Sequence, residues 1–133
     1  MLQITRRGDY AIRGMICLAG VPKDKLVLLS DIASEIGVSQ TFLAKIFQDF
    51  NKVGLVKSYR GTGGGFMLGR PIEKITLLDI IEAVEGPIAV SRCILADGSC
   101  DRESTCPVNP IWKKMRTQMR RMLSSVTLSQ LAK

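Results

Sequence analysis

The 133-residue chain contains no histidine and no pair of cysteines with Cys-x-x-Cys spacing. Histidine is the usual general base of enzymes and the commonest metal ligand, and Cys-x-x-Cys pairs are typical of zinc ribbons. A zinc site would also need four good ligands. No nucleophile–base pairing is recognisable either. These absences argue against an enzyme and leave zinc as a minor alternative.

The sequence also lacks a long apolar run. No stretch approaches the roughly 20 apolar residues of a membrane span. Charged side chains interrupt the first segment before the apolar region of a signal peptide could form. These side chains are Arg6, Arg7, Asp9 and Arg13. We therefore expect a cytoplasmic protein without a membrane partner, in a compartment where thiols stay reduced.

Acidic residues are in the minority, because 12 Asp and Glu stand against 19 Lys and Arg for a formal net charge of +7. Residues 1–70 carry ten basic and five acidic side chains, whereas residues 71–133 carry nine and seven. Excess positive charge in the first half favours a polyanionic partner such as DNA. The alternative is an ordinary basic surface that keeps the protein soluble.

After a first helix, two short helices joined by a tight turn are predicted in the basic half. Ser30 is the predicted cap of the helix "DIASEI", Gly37 ends it, and Ser39 caps the next helix, "QTFLAKIFQDFNK". This pattern matches a helix-turn-helix, whose second helix presents its amino-terminal residues to base edges in the major groove. The predicted DNA-contacting residues there are Ser39, Gln40, Thr41, Ala44 and Lys45. Gln40 and Thr41 are the predicted base readers, and contact with phosphate alone is the alternative.

A basic hairpin follows in "GLVKSYRGTGGGFMLGRP". Residues 55–60 and 66–68 are predicted strands, and the glycine-rich turn between them lets the tip approach another molecule closely. A helix-turn-helix followed by such a hairpin is a winged helix. The turn is not a phosphate-binding loop, because no Gly-Lys-Ser/Thr and no following helix are present. On this wing we expect Arg60 to enter the minor groove, unless it is merely solvated, and Thr62 to contact phosphate.

The rest of the chain is predicted to be helical around one polar loop. Thr76 and Asp79 form a predicted capping box for "LLDIIEAVE", and Asn109 is the predicted cap of a long helix with Pro110 in its first turn. That helix has an apolar stripe that must be covered. The stripe consists of Ile111, Trp112, Met115, Met119, Met122 and Leu123, of which the first five are the predicted dimerisation residues. A second subunit is the favoured cover, giving a homodimer, and packing onto the same chain is the alternative.

The predicted fold is therefore mainly α with a small β wing, in which a winged helix-turn-helix precedes a long carboxy-terminal dimerisation helix. We expect a winged-helix DNA-binding domain at 1–86, a cysteine-bearing loop at 87–108, and the dimerisation helix and tail at 109–133. The tail is expected to contain one last short capped turn of helix.

Three of the four cysteines lie within residues 92–106, at Cys93, Cys100 and Cys106. A polar, glycine-bearing loop can fold them around one centre, and thiolates are the ligands that hold iron in iron–sulfur clusters. The alternatives are a switch in which two loop thiols oxidise reversibly, and zinc. Cys17 lies in an apolar helical segment, where a cysteine usually behaves as a small hydrophobe.

Five motifs, in this order, resemble a family of bacterial winged-helix regulators that includes the iron–sulfur biogenesis regulator and the nitric-oxide-sensing repressor. They are "ITRRGDYAIR", "GVSQTFLAKIF", "GLVKSYRGTGGGFMLGR", "ITLLDIIEAVEG" and the loop cysteines ending in "CPVNPIW". The resemblance implies a homodimer that binds double-stranded operator DNA and controls transcription. For the cluster-binding branches it also implies an iron–sulfur cluster, 2Fe–2S or 4Fe–4S, on Cys93, Cys100 and Cys106.

The resemblance bears on the fourth ligand as well. The biogenesis regulator has a histidine three residues after its third cysteine, where this chain has Asn109. The nitric-oxide sensor uses an aspartate of the first helix from the other subunit, and Asp9 matches that position. Asp9 is therefore the predicted fourth ligand, and an ordinary helix-start carboxylate is the alternative. The loop carboxylates Asp97, Asp101 and Glu103 are further candidates.

An acidic residue tunes operator choice in the recognition helix of the biogenesis regulator, and the matching residue here is Ala44. The resemblance therefore carries over no particular operator. We expect operator binding that responds to cluster status, redox conditions or nitric oxide. A metal-free regulator that senses through thiol oxidation is the first alternative, and a cluster-carrying scaffold or enzyme is the second.

Overall fold

The computed structural model describes residues 3–22, 24–61, 64–94, 101–102 and 104–132. Its helices and strands, in chain order, are α1 (Arg6–Ala19), α2 (Leu29–Ile36), α3 (Gln40–Lys52), β1 (Val56–Tyr59), β2 (Gly65–Leu68), α4 (Leu77–Glu85), α5 (Asn109–Ser124) and α6 (Leu128–Leu131), with 3₁₀ turns at Ile72–Lys74 and Arg92–Ile94. The predicted mainly α fold, with a small wing and a long carboxy-terminal helix, is confirmed. Within the described ranges, no helix is both long and apolar enough to cross a bilayer.

The first turn of α1 is fixed by its cap and by α4. Thr5 Oγ1 accepts a hydrogen bond from Gly8 N at 3.1 Å, which caps the helix. Thr5 N donates to Glu85 Oε1 at 2.9 Å, and the Thr5 hydroxyl donates to the same oxygen. Because Glu85 is the last residue of α4, these bonds dock the beginning of α1 on the end of α4.

The core forms around α3. The fully buried side chains of this helix are Leu43, Ile46, Phe47 and Phe50. The ring of Phe47 meets that of Phe66 on β2 edge-on, with centroids 5.0 Å apart, so the wing packs directly on α3. A Cβ added at Gly14 of α1 would lie 3.1 Å from the Phe47 ring. The absence of a side chain at Gly14 therefore lets α1 approach α3 closely.

The hairpin is antiparallel and pairs Val56 with Leu68 and Tyr59 with Gly65. Val27, ahead of α2, adds a bridge to Phe66 on the other edge of β2. These pairings hold the base of the wing against the helix-turn-helix, so the wing lies beside α3.

The last helix returns to the core. Leu128 N donates to Ile75 O at 2.8 Å, and Thr76 forms a bridge with Thr127. The Leu128 side chain is fully buried among the core residues. The expected short capped helix is present as α6, and its packing joins the end of α5 to the beginning of α4.

One predicted cap is wrong. α2 begins at Leu29, with Leu28 at the N-cap position and no side-chain hydrogen bond there, so Ser30 lies inside the helix. Leu29 packs against the core, and this apolar contact starts the helix two residues before the capping pattern would. The capping box of Thr76 and Asp79 on α4 is confirmed.

Candidate DNA interface and cysteine site

The first turn of α3, the recognition helix of the helix-turn-helix, is exposed to solvent. Ser39 Oγ accepts a hydrogen bond at 3.1 Å from the amide three residues on, as predicted for its cap. Gln40, Thr41 and Lys45 are exposed, whereas Ala44 is half-buried. The recognition helix can therefore offer three of its predicted contacts directly to DNA, while Ser39 also has a structural role.

The orientation of the recognition helix is held by α1. Arg7, in the first turn of α1, forms an ion pair with Asp49 on α3, and Lys52 Nζ lies 4.0 Å from the other carboxylate oxygen. Arg7 and Asp49 are both half-buried, so water and salt screen this pair less than an exposed one. The first turn of α1 also carries Asp9, so the candidate fourth ligand lies beside a direct contact to the recognition helix.

The wing adds cations next to this helix. Arg60 directly follows β1 and is exposed, whereas Thr62 lies outside the described residues. Two further exposed wing residues, Lys57 and Tyr59, are absent from the predicted contacts. They are two positions apart on a strand, so their side chains share one face. The alternation of side chains along a strand is the sequence signal that could have identified Lys57 and Tyr59 as residues of the same exposed face.

Asn109 contacts two of the loop cysteines, one through its side chain and the other through its backbone. Its side-chain Nδ2 donates to Cys93 Sγ at 3.9 Å, and its backbone N donates to Cys106 O at 3.3 Å. Asn109 is only 2% exposed. The prediction that Asn109 caps α5 is wrong, because Val108 is the N-cap and Asn109 the first helical residue. The amide is turned inward to the sulfur of Cys93 instead.

The surroundings of Cys93 suit a sulfur ligand. Cys93 lies in the 3₁₀ turn Arg92–Ile94, and both Cys93 and Cys106 are half-buried. Ser91 Oγ makes a hydrogen bond of 3.1 Å with Cys93 Sγ. Hydrogen bonds to the sulfurs are one of the features that tune iron–sulfur centres. The hydrogen bonds that Ser91 and Asn109 make with Cys93 Sγ therefore fit a sulfur that holds a metal or cluster.

The described residues do not by themselves complete a metal site. Cys100 lies outside them. Asp9 is exposed, and its Oδ2 pairs with Arg13 Nε at 3.0 Å. Within the part of the chain that the structure describes, no group of three or more Cys, Asp or Glu side chains could hold a metal ion. A complete site would need Cys100 and a further ligand in addition to Cys93 and Cys106.

Cys17 differs chemically from the loop cysteines. It lies half-buried on α1, and its thiol donates to Glu35 Oε2 at 3.0 Å. Burial first, then the hydrogen bond to Glu35 and the negative charge of Glu35, raise the pKa of the Cys17 thiol from 9.0 to about 12. Cys17 is therefore protonated at neutral pH.

The apolar stripe of α5 is only partly covered by its own chain. Trp112 and Met119 are half-buried. Ile111 and Met122 are 58% and 72% exposed, and Met115 is exposed as well. Apolar side chains that recur at helical spacing on one exposed face mark an interaction surface.

Comparison with known proteins agrees with this architecture. The chain is 32% identical to the HTH-type transcriptional regulator IscR of Xenorhabdus nematophila over 132 residues, which are 99% of this chain and 80% of the relative. The structure of CymR, the global cysteine regulator of B. subtilis, superimposes with a TM-score of 0.77 at 33% identity, covering 99% of this chain and 97% of that one. The oxidized form of Staphylococcus aureus CymR gives a TM-score of 0.76 at 31% identity, with coverage of 99% and 97%.

The predicted resemblance to winged-helix regulators is confirmed by these relatives, and so is the prediction that the chain is not an enzyme. The family model described as "Rrf2: Iron-dependent Transcriptional regulator" matches residues 4–133. A winged helix with an exposed recognition helix, the identity to IscR and this match lead to one conclusion: the chain belongs to the Rrf2 family of DNA-binding transcriptional regulators.

Proposed function

We propose that this regulator binds operator DNA as a homodimer, and that an iron–sulfur cluster held by Cys93, Cys100 and Cys106 modulates the binding. The observation that carries the proposal is the contact of Asn109 with both Cys93 and Cys106. A buried side chain with a donor toward one sulfur orients a ligand in the way that outer-shell residues of metal sites do. When bound, the cluster supplies a charged centre whose integrity depends on oxidants, nitric oxide and iron supply.

The proposed fourth ligand is Asp9 of the partner subunit. The Asp9 side chain is 52% exposed, and Arg13, its ion-pair partner one turn on, is 59% exposed. Exposed helical pairs of this kind stabilise by only about 0.3–0.5 kcal/mol. Asp9 can therefore leave Arg13 at little cost. A carboxylate is a harder and more labile ligand for iron than a thiolate, which suits a sensor better than a permanent structural site.

The first turn of α1 gives this site a route to the DNA-binding surface. Asp9 is two residues from Arg7, which pairs with Asp49 on the recognition helix. A displacement of this turn is therefore transmitted to α3 through the ion pair of Arg7 with Asp49. Half-sites on DNA are roughly 34 Å apart, so a two-fold dimer must hold its recognition helices at a fixed separation. A small movement at Asp9 then changes operator affinity.

The proposal is tested on protein purified without oxygen and incubated with ferrous iron and sulfide. We expect visible absorption with matching iron and sulfide contents, their loss in Cys93→Ala and Cys106→Ala, and a change in operator affinity between loaded and metal-free dimers. Cys17→Ala is the matched control and should load like the wild type. A protein that stays colourless and iron-free, or that binds DNA equally in both forms, contradicts the proposal.

A metal-free thiol switch is the second candidate function. It is supported by the likeness to S. aureus CymR, whose structure was solved in an oxidized form and which this chain covers almost completely. The Asn109 side chain contacts Cys93 Sγ and its backbone amide bonds to the Cys106 carbonyl, so the two cysteine residues lie on either side of Asn109. Treatment of the metal-free protein with peroxide should then link Cys106 to Cys93 or to Cys100, as detected by mass spectrometry. A reducing agent should reverse the effect on DNA binding.

A further inference from the structure

The segment between α4 and Cys93 is held at Ile88 by two charged side chains. Ile88 N donates to Glu82 Oε2 on α4 at 3.0 Å. Ile88 O accepts from Arg116 Nε on α5 at 3.1 Å. Both backbone polar groups of Ile88 are therefore bound by ionised side chains from two different helices. Hydrogen bonds to ionised groups are stronger than neutral ones.

Arg116 holds the other end of the same segment as well. Its Nη1 donates to Ile94 O at 3.4 Å. Ile94 is the residue after Cys93, its side chain is buried, and its amide closes the 3₁₀ turn on Ser91 O at 3.3 Å. One guanidinium thus joins the two ends of the arch that runs from Ile88 to Ile94.

The arch is also bound to α4 by Glu82, which a second arginine of α5 contacts. Glu82, which receives the Ile88 amide, forms an ion pair with Arg120, one turn after Arg116 on α5. All three charged side chains are half-buried between α4 and α5. The side chains that hold the arch around Cys93 therefore come from both α4 and α5.

We propose that Arg116 is the positioning residue of Cys93, holding the arch in shape before any ligand binds. The inference rests on the proposed function only in taking Cys93 as a ligand. Arginine suits this role because different nitrogens of its planar fork can donate to two separate carbonyls at once. A lysine carries the same charge but concentrates its donors on one nitrogen, so it retains at most part of the contact.

The test uses the full-length, metal-free protein and compares Arg116→Gln, Arg116→Lys and the control Arg121→Gln. Arg121 lies on the same helix and is exposed, so its substitution makes the same change of charge away from the arch. Hydrogen–deuterium exchange of peptides covering 86–94 should rise by about tenfold in Arg116→Gln, because strong hydrogen bonds to two carbonyls are lost. Arg116→Lys should be intermediate, and Arg121→Gln should match the wild type.

A second measurement separates positioning from general destabilisation. Iodoacetamide labelling should accelerate at Cys93 in Arg116→Gln, while labelling at Cys17, which packs against the core, stays at the wild-type rate. Faster labelling of both cysteines, or unchanged exchange of the arch, overturns the inference. Because no iron is present, failure of the wild-type protein to take up iron and sulfide would contradict the proposed function without affecting this result.

Discussion

Asn109 Nδ2 and Cys93 Sγ lie 3.9 Å apart, and this contact between the first residue of α5 and the 3₁₀ turn joins the two parts of the cysteine site. The first turn of α5 has no side-chain cap. The Asn109 side chain, which could have bonded to a nearby backbone amide, donates to the sulfur of Cys93 instead. The beginning of α5 therefore has a long-range contact to Cys93 and no side-chain cap of its own.

The first prediction concerns this amide. Asn109→Ala should shorten the lifetime of the loaded site in air several-fold, because Cys93 loses the outer-shell hydrogen bond that orients its sulfur. Bleaching of the visible absorption measures the lifetime. Ser104→Ala, an exposed position in the same loop, is the control and should bleach at the wild-type rate. A wild-type lifetime in Asn109→Ala, with an unchanged circular dichroism spectrum, would contradict the prediction.

The second prediction separates base reading from phosphate contact on the recognition helix. Gln40→Ala should cost about 1–3 kcal/mol on the best operator and relax its sequence preference, because a bidentate contact to adenine is lost. Lys45→Ala should weaken all sequences alike and reduce the salt slope by about one. Fluorescence anisotropy on a set of operator variants measures both effects. Gln48→Ala, exposed farther along α3, is the control. Equal loss on every sequence in Gln40→Ala would reject base reading.

The third prediction follows from the raised pKa of Cys17, which is about 12 against the usual 9.0. Iodoacetamide should label Cys17 slowly at pH 8, because the thiolate is scarce. Glu35→Gln should accelerate the labelling, because removing the negative charge lowers the pKa of Cys17. Asp31→Asn, which removes a charge at an exposed position of the same helix, is the control and should leave the rate unchanged. Peptide mass spectrometry between pH 7 and 10 follows the rates, and equal rates in Glu35→Gln and the wild type would count against the assigned cause.

The same shift has a consequence for stability. Since the folded-state pKa of Cys17 is raised, its contribution is complete below pH 9.0 and is lost as the pH rises towards about 12, because the unfolded chain ionises first. Urea titrations of Cys17→Ser should therefore show a weaker decline in stability over this window than the wild type. An identical decline in both proteins would contradict this assignment.

The fourth prediction concerns the uncovered stripe of α5. Met122→Glu should convert the proposed dimer into monomer, because a charge at a 72% exposed apolar position would be buried on association. Sedimentation velocity measures the mass. Thr117→Glu is the control, since Thr117 is exposed and lies two positions from Met115, away from the stripe. A wild-type protein that sediments as a monomer would refute the dimer itself.

The elements that are set by local chemistry were predictable from the sequence. The cap at Ser39, the turn at Gly37 and the capping box of Thr76 and Asp79 depend on neighbouring residues, and the structure has all three. The caps at Ser30 and Asn109 were predicted by the same rule and are wrong. In both cases a contact with a distant part of the fold, the core for Leu29 and a sulfur for Asn109, outweighs the local bond.

Contacts that depend on long-range placement could not be predicted. Arg116 belongs to a helix with many basic residues, and nothing in its spacing distinguishes the side chain that binds Ile88 O and Ile94 O from its exposed neighbours. Leu128 likewise looks like an ordinary tail residue until the bridge of Thr76 with Thr127 brings it into the core.

The return of α6 to the core has a thermodynamic consequence for the cysteine segment. Leu128 bonds to Ile75, so α4, the cysteine segment and α5 lie inside one long loop that must close for the DNA-binding domain to complete its interior. Closing a loop costs chain entropy, and any cross-link or bound ion that gathers residues within it lowers that cost beforehand. Binding of a ligand to the cysteines should thus raise the melting temperature of the whole DNA-binding domain, although the ligand does not contact the recognition helix.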